Sequence, residues 1–166
     1  MGAAGKNSLR RMLSRAWVLL VLLTGCAKPT GDYFFVSTET ARTQQGNYNF
    51  SLDLQDSTGT YAIGLAARLV TSRLPDLQLP LDIRTTTPAG ETSIERTVFH
   101  VTENSVTQLK KGSGSVVDCE WAWKPVVPVR GAEAGTWQIS ITPTDPSLLD
   151  AIYGIGISYE NNYGKR

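Results

Sequence analysis

The sequence predicts an all-β protein: an antiparallel β-sandwich of jelly-roll type, with about eight strands, behind an N-terminal signal peptide. Three observations predict it. Apolar residues recur at every second position along most of the chain after residue 32, and no window sustains a helical period. Clusters of Gly, Pro, Asp and Ser punctuate these stretches at intervals of roughly 10–20 residues. The 166 residues are 41% apolar, enough for one packed core and too much for a disordered chain.

The first element is an address rather than a fold. Residues 1–25 carry Lys6, Arg10, Arg11 and Arg15 and no acid, followed by the apolar run Ala16–Leu23. A bilayer-spanning helix needs about 20 apolar residues, so this run is too short to cross. A basic start before a short apolar stretch is the pattern of a secretory signal peptide. It ends in Leu23-Thr24-Gly25-Cys26, which resembles the bacterial lipobox: a branched apolar residue, two small residues, then the Cys whose sulfur takes the lipid. The expected organisation is a lipoprotein signal peptide over 1–25, a lipidated tether over 26–32 and a single β-sandwich domain over 33–166. Cys26 is the expected lipidation site and the lipid its first partner. Several acyl chains at about 0.8 kcal/mol per buried methylene anchor a protein stably. Ala27 stands where an Asp would signal inner-membrane retention, so the outer membrane is expected. Lys28-Pro29-Thr30-Gly31-Asp32 lacks an acidic surface-export cluster, so the expected side is the periplasm. At about 3.4 Å per residue, residues 27–32 reach no more than about 20 Å, which holds the domain close to the membrane.

The strands follow in order. Tyr33–Thr38 opens the domain. In Tyr48–Gln55 every even residue is apolar and every odd one polar, giving a dry face and a wet face. Asp56-Ser57-Thr58-Gly59 supplies turn chemistry. Tyr61, Ile63, Leu65, Ala67 and Leu69 then form the next apolar face, so the two stretches read as a hairpin. Leu77–Arg84 alternates again, and Pro80, which has no N–H for a ladder, predicts an edge strand or a bulge. The turn Thr87-Pro88-Ala89-Gly90 leads into a strand over 93–101. Lys110–Ser115 reads as a flexible polar loop. Strands over 116–124 and 136–142 flank a stiff connection, Pro125-Val126-Val127-Pro128. Pro146–Ile152 suits a single helical turn with Pro near its start. Gly154–Tyr159 is the last strand, in which Gly154-Ile155-Gly156 implies close backbone packing or a bulge. Asn161–Arg166 is a polar tail. No internal repeat and no second domain is evident.

Composition excludes several function classes. One His and two Cys leave almost nothing for zinc sites or Cys/His catalysis. With Cys26 acylated, Cys119 has no disulfide partner within the chain. A net charge of +1, lost when the basic leader is removed, gives no support for nucleic-acid binding. There is no Gly-x-Ser-x-Gly elbow and no Gly-rich phosphate loop. No metal or other cofactor is expected. Asp53 and Asp56 lie near a turn but lack the dense acidic spacing of a calcium loop. His100 reads as a structural strand residue.

The most distinctive segment is Val117-Asp118-Cys119-Glu120-Trp121-Ala122-Trp123-Lys124. Alternation puts Val117, Cys119, Trp121 and Trp123 on one face and Asp118, Glu120 and Lys124 on the other. Two readings stand side by side. In the first, the Trp face is core and Cys119 a buried, inert thiol. In the second, Trp121 and Trp123 form a platform that stacks on sugar rings, with Asp118 and Glu120 beside it as ligand-binding carboxylates. Those two carboxylates are also the best local pair for glycoside chemistry, but Lys124 on their face opposes the raised pKa that a general acid needs. No catalytic residue is assigned.

The C-terminal third carries a resemblance. Gly135-Thr136-Trp137-Gln138-Ile139-Ser140-Ile141, then Leu149, then Ile152-Tyr153-Gly154-Ile155-Gly156-Ile157-Ser158-Tyr159-Glu160, together with the lipobox leader, resembles the gliding-motility lipoprotein H family of Bacteroidetes. The Thr87-Pro88-Ala89-Gly90 turn fits the middle of that pattern. The resemblance implies a membrane-anchored component of motility or secretion machinery, with no catalytic residues to carry over. The sequence therefore leads to a non-enzymatic outer-membrane lipoprotein, a subunit of a cell-envelope complex with protein partners there. A glycan-binding β-sandwich using Trp121 and Trp123 is the alternative.

Overall fold

A computed structural model describes residues 31–109 and 115–162. The leader, Cys26 and most of the Lys110–Ser115 loop lie outside the described residues. The chain from Gly31 onward forms one compact unit of two antiparallel sheets. Its strands are β1 (Gly31–Ser37), β2 (Tyr48–Leu54), β3 (Thr60–Val70), β4 (Gln78–Thr86), β5 (Thr92–His100), β6 (Val106–Leu109), β7 (Val116–Pro128), β8 (Gly135–Pro143) and β9 (Ile152–Asn161). One sheet has the order β1-β9-β3-β7-β6 and the other β2-β8-β4-β5. The pairs nest: β4 with β5, β3 with β7, β2 with β8, and β1 with β9, alternating between sheets. That nesting is a jelly roll, with β6 added at one edge. β6, which the sequence did not reveal, has four residues, too few for alternation to show.

The core lies between the sheets. In β2, Tyr48, Phe50, Leu52 and Leu54 are buried and Asn49, Ser51 and Asp53 exposed, as period two requires. Tyr61, Ile63, Leu65, Ala67 and Leu69 of β3 meet them from the other side, with Leu79, Leu81, Ile83, Ile139, Ile141 and Ile155 filling the layer. β2 and β3 are therefore not a hairpin, as the sequence suggested, but strands of opposite sheets. Alternation tells which face is dry and not which sheet a strand joins. The Asp56 carboxylate holds the crossover by accepting from the Thr58 backbone N–H (3.0 Å) and hydroxyl (2.9 Å).

Proline placement differs too. β4 is interior, between β8 and β5, rather than an edge. Pro80 is tolerated because the β4–β8 ladder begins one residue later, at Leu81–Pro143, while the Pro80 carbonyl accepts from Thr144 N–H at 3.1 Å. Pro125–Pro128 is no connection but the end of β7, where the pairing with β3 is irregular and β6 has already ended. A short helix, Thr38–Thr43, follows β1, started by the Ser37 hydroxyl accepting from Thr40 N–H. Six residues carry too little periodicity to reveal it. The expected turn at Pro146 is a 3-10 turn over Pro146–Asp150, capped by Asp145. β1 starts at Gly31, so Gly31 and Asp32 belong to the sheet rather than to the tether. The resemblance-bearing residues make β8 and β9.

Candidate functional site

β7 places the residues that the sequence singled out. Val117 and Cys119 point into the core. Trp121 and Trp123 are half-buried where the five-stranded sheet meets β5 of the other sheet. The Trp121 indole packs on Phe99 with centroids 5.3 Å apart and a 47° tilt, and its N–H donates to the His100 carbonyl at 2.9 Å. The Trp123 N–H donates to Glu95 Oε1 at 3.4 Å. Lys124 bonds Glu95 Oε2 at 2.7 Å and sits 4.8 Å above the centre of the Trp123 ring. This seam joins the two sheets along one side.

Lys124 does not share a face with Asp118 and Glu120. The register pairs Gly64 with Ala122 and Ile63 with Lys124, so Trp123 is the extra residue of a bulge. The bulge reverses the alternation and turns Lys124 toward β5. The cation beside Asp118 is instead Arg68, directly opposite on β3, in a bidentate pair at 2.6 and 2.9 Å. The guanidinium occupies both carboxylate oxygens of Asp118 and fixes the orientation of that side chain on the sheet face. Glu120 is exposed beside it. Burial pushes the Cys119 thiol up to about 11, so it stays protonated. Asp53 accepts from Gln55, Asp56 serves its turn, and His100 lends its carbonyl to Trp121. Among the described residues no group of three or more His, Cys, Asp or Glu is placed to hold a metal ion.

The outer face of the five-stranded sheet gathers residues that the sequence did not single out. Tyr33 and Phe35 project from β1 and lean across β9. A Cβ at Gly156 would stand 2.5 Å from the Tyr33 hydroxyl oxygen, and one at Gly154 would collide with the Phe35 ring and the Val36 carbonyl. The Gly-Ile-Gly motif is thus a bed for two aromatic rings. The rings remain 53% and 44% exposed, and Tyr153 nearby 55%. Beyond them β3 offers Gly64, Ala66 and Arg68, and β7 offers Asp118, Glu120 and Ala122. Small residues make the floor low, leaving adjoining hollows of about 360 and 470 Å³ that share Tyr33, Ala66 and Glu120. A third, of about 510 Å³, continues past Phe35 and Arg68 to Tyr153. Partial burial raises the Tyr33 phenol above its ordinary value, with Glu120 and Asp118 adding repulsion. It therefore stands protonated, a donor beside carboxylates. The signal in the sequence was the i, i+2 pair of aromatics at Tyr33 and Phe35 together with Gly154 and Gly156.

No protein-family profile matches the chain, and no curated protein matches it. Among solved structures, the chain resembles part of a family GH115 4-O-methyl-alpha-glucuronidase, at 11% identity and a TM-score of 0.33, covering 68% of this chain and 13% of that one. It also resembles part of latent PorU from Porphyromonas gingivalis, at 9% identity and a TM-score of 0.39, covering 82% and 14%. A CocE/NonD family hydrolase from Staphylococcus aureus follows at 11% identity and a TM-score of 0.25, covering 81% and 31%. The chain spans less than a third of each of these proteins, and likeness of this degree carries no activity across.

Proposed function

We propose that the protein is a non-catalytic lipoprotein of the outer membrane, acylated at Cys26, facing the periplasm and serving as a subunit of a cell-envelope complex of the gliding-motility or secretion type. The leader carries this reading: four basic residues, an apolar run too short to span, and Leu23-Thr24-Gly25-Cys26 at its end. The β7 chemistry is compatible with it, since Asp118 is held by Arg68 and Cys119 is a buried thiol. With β1 beginning at Gly31, only residues 27–30 separate the acylated Cys from the first strand, at most about 14 Å of extended chain. A domain held that close serves a partner in the same membrane better than one far across the periplasm. The test is Cys26→Ala. It is expected to abolish labelling by a fatty-acid analogue and to leave uncleaved precursor or soluble protein. Normal labelling and unchanged membrane fractionation of the variant would refute acylation at this residue. Cross-linking in intact cells followed by purification from membranes tests the complex, and recovery of the protein without any envelope partner counts against it.

A further inference from the structure

We propose that the outer face of the five-stranded sheet is a binding platform for neutral polysaccharide, with Tyr33 and Phe35 stacking on sugar rings and Glu120, with the Arg68–Asp118 pair, taking the hydroxyls. The proposal goes beyond the lipoprotein reading and does not depend on acylation. It also places the platform away from the indoles of β7. Trp121 spends its N–H on the His100 carbonyl and part of its ring on Phe99, and Trp123 lies under Lys124. The tips of the Tyr33 and Phe35 rings lie against Gly156 and Gly154, and both residues remain about half exposed.

The chemistry of the trough selects its occupant. An aromatic ring carries negative charge on its face, which attracts the weakly positive C–H groups lining one side of a pyranose. The hydroxyls at the edge of such a sugar need charged or polar groups in the same plane as the stacking surface. Here Arg68, Asp118 and Glu120 line the same hollow as the two rings, and the adjoining hollow runs over Gly64 and Ala66. Tyr33 and Phe35 are two residues apart on one strand, about 7 Å, which is the scale of successive sugar units along a chain.

Charge argues against the other occupants. Among the described residues the trough holds Arg68 as its cation, already engaged by Asp118, together with Glu120 and, at the Phe35 end, Glu39. Such a surface repels anionic glycans and anionic lipid. A second copy of the chain would have to desolvate the central ion pair. A peptide adding as a strand needs a free sheet edge and not a sheet face.

The experiment uses the purified full chain in detergent. An array of neutral oligosaccharides covering hexose, pentose and N-acetylhexosamine polymers is titrated by calorimetry, beside alginate and phosphatidylglycerol vesicles. At least one neutral oligosaccharide is expected to bind. Tyr33→Ala and Phe35→Ala are each expected to weaken it about tenfold or more, Glu120→Gln to weaken it less, and Trp123→Ala to leave it unchanged. Far-UV circular dichroism and thermal melting establish that each variant is folded, and Tyr33→Phe, which keeps the ring, is expected to retain most of the binding. Absence of binding across the neutral array overturns the proposal. So do binding confined to alginate or to vesicles, binding that survives Tyr33→Ala and Phe35→Ala in folded protein, and self-association that Phe35→Ala abolishes.

Discussion

Truncating Trp121 to Ala tests the seam between the sheets. A fully buried Trp reduced to Ala costs about 3–5 kcal/mol through lost transfer free energy and the cavity left behind. Trp121 is only half-buried, which brings that part down to about 1.5–2 kcal/mol. The tilted contact with Phe99 adds about 0.5–1 kcal/mol. The N–H bond to the His100 carbonyl adds little, because that carbonyl belongs to an exposed residue and water can replace the donor. The expected loss is about 2–3 kcal/mol, or about 8–12 °C in Tm for a domain of this size. Urea unfolding at fixed pH, with the slope m unchanged, measures it. Trp121→Phe keeps the packing on Phe99 and gives up the N–H, so it should recover about half of the loss. A Trp121→Ala variant within about 0.5 kcal/mol of the parent would refute the reasoning, because the indole would then contribute nothing to joining the sheets.

Titration and access set three further outcomes. The Cys119 thiol, buried and raised to about 11, should resist a thiol reagent at neutral pH until the domain unfolds, and its labelling rate should rise with denaturant along the unfolding curve. Fast labelling of folded protein would contradict its burial. The raised value also means that its contribution to stability is complete below the ordinary value of 9.0 and fades as pH climbs toward about 11, so the fall in stability over that range should be shallower in Cys119→Val than in the parent. At the acid end, the Thr58 backbone N–H lowers Asp56, Arg96 lowers Asp82, the Ser147 N–H lowers Asp145, and Lys124 lowers Glu95. Groups lowered in the fold stabilise it above their ordinary values, about 4, and lose that effect as pH falls through the folded values. The urea midpoint should therefore fall below about pH 4, and a combined Asp56→Asn, Asp82→Asn, Glu95→Gln variant should show a shallower fall. An unchanged acid limb in that variant would refute the assignment.

Strand faces were legible in the sequence, and strand partners were not. Tyr48–Leu54 declared its dry side because its odd residues are wet. The same regularity misled at β2–β3, since two strands that face one core from opposite sheets show the same alternation as a hairpin. Pro80 and Pro125 looked like interruptions because a missing N–H is harmful only where a neighbour needs it, and the neighbour is a matter of register. The bulge at Trp123 was invisible in one dimension, and with it the transfer of Lys124 from Asp118 and Glu120 to Glu95. The aromatic trough was the least legible feature. Tyr33 and Phe35 acquire meaning only when Gly154 and Gly156 lie beside them, and nothing within either segment announces the other.

The nested pairing has a kinetic side. Contacts across successive pairs span sequence separations of 14 residues at Asp82–Arg96, 50 at Arg68–Asp118, 87 at Ser51–Gln138 and 114 at Thr38–Ile152. Closing the longest of these loops directly costs about 1.9 kcal/mol more in chain entropy than closing the shortest. Closing them from the inside outward spares most of that, because each formed pair shortens the loop left for the next. The β4–β5 hairpin is thus the natural starting point, and β1 docks last. None of β1, β2 and β3 has a partner before β7 exists. A ribosome delivering the chain from its N-terminus therefore releases the first three strands before any of them has a partner to pair with. Such a chain keeps its apolar strands open to aggregation until the last third arrives.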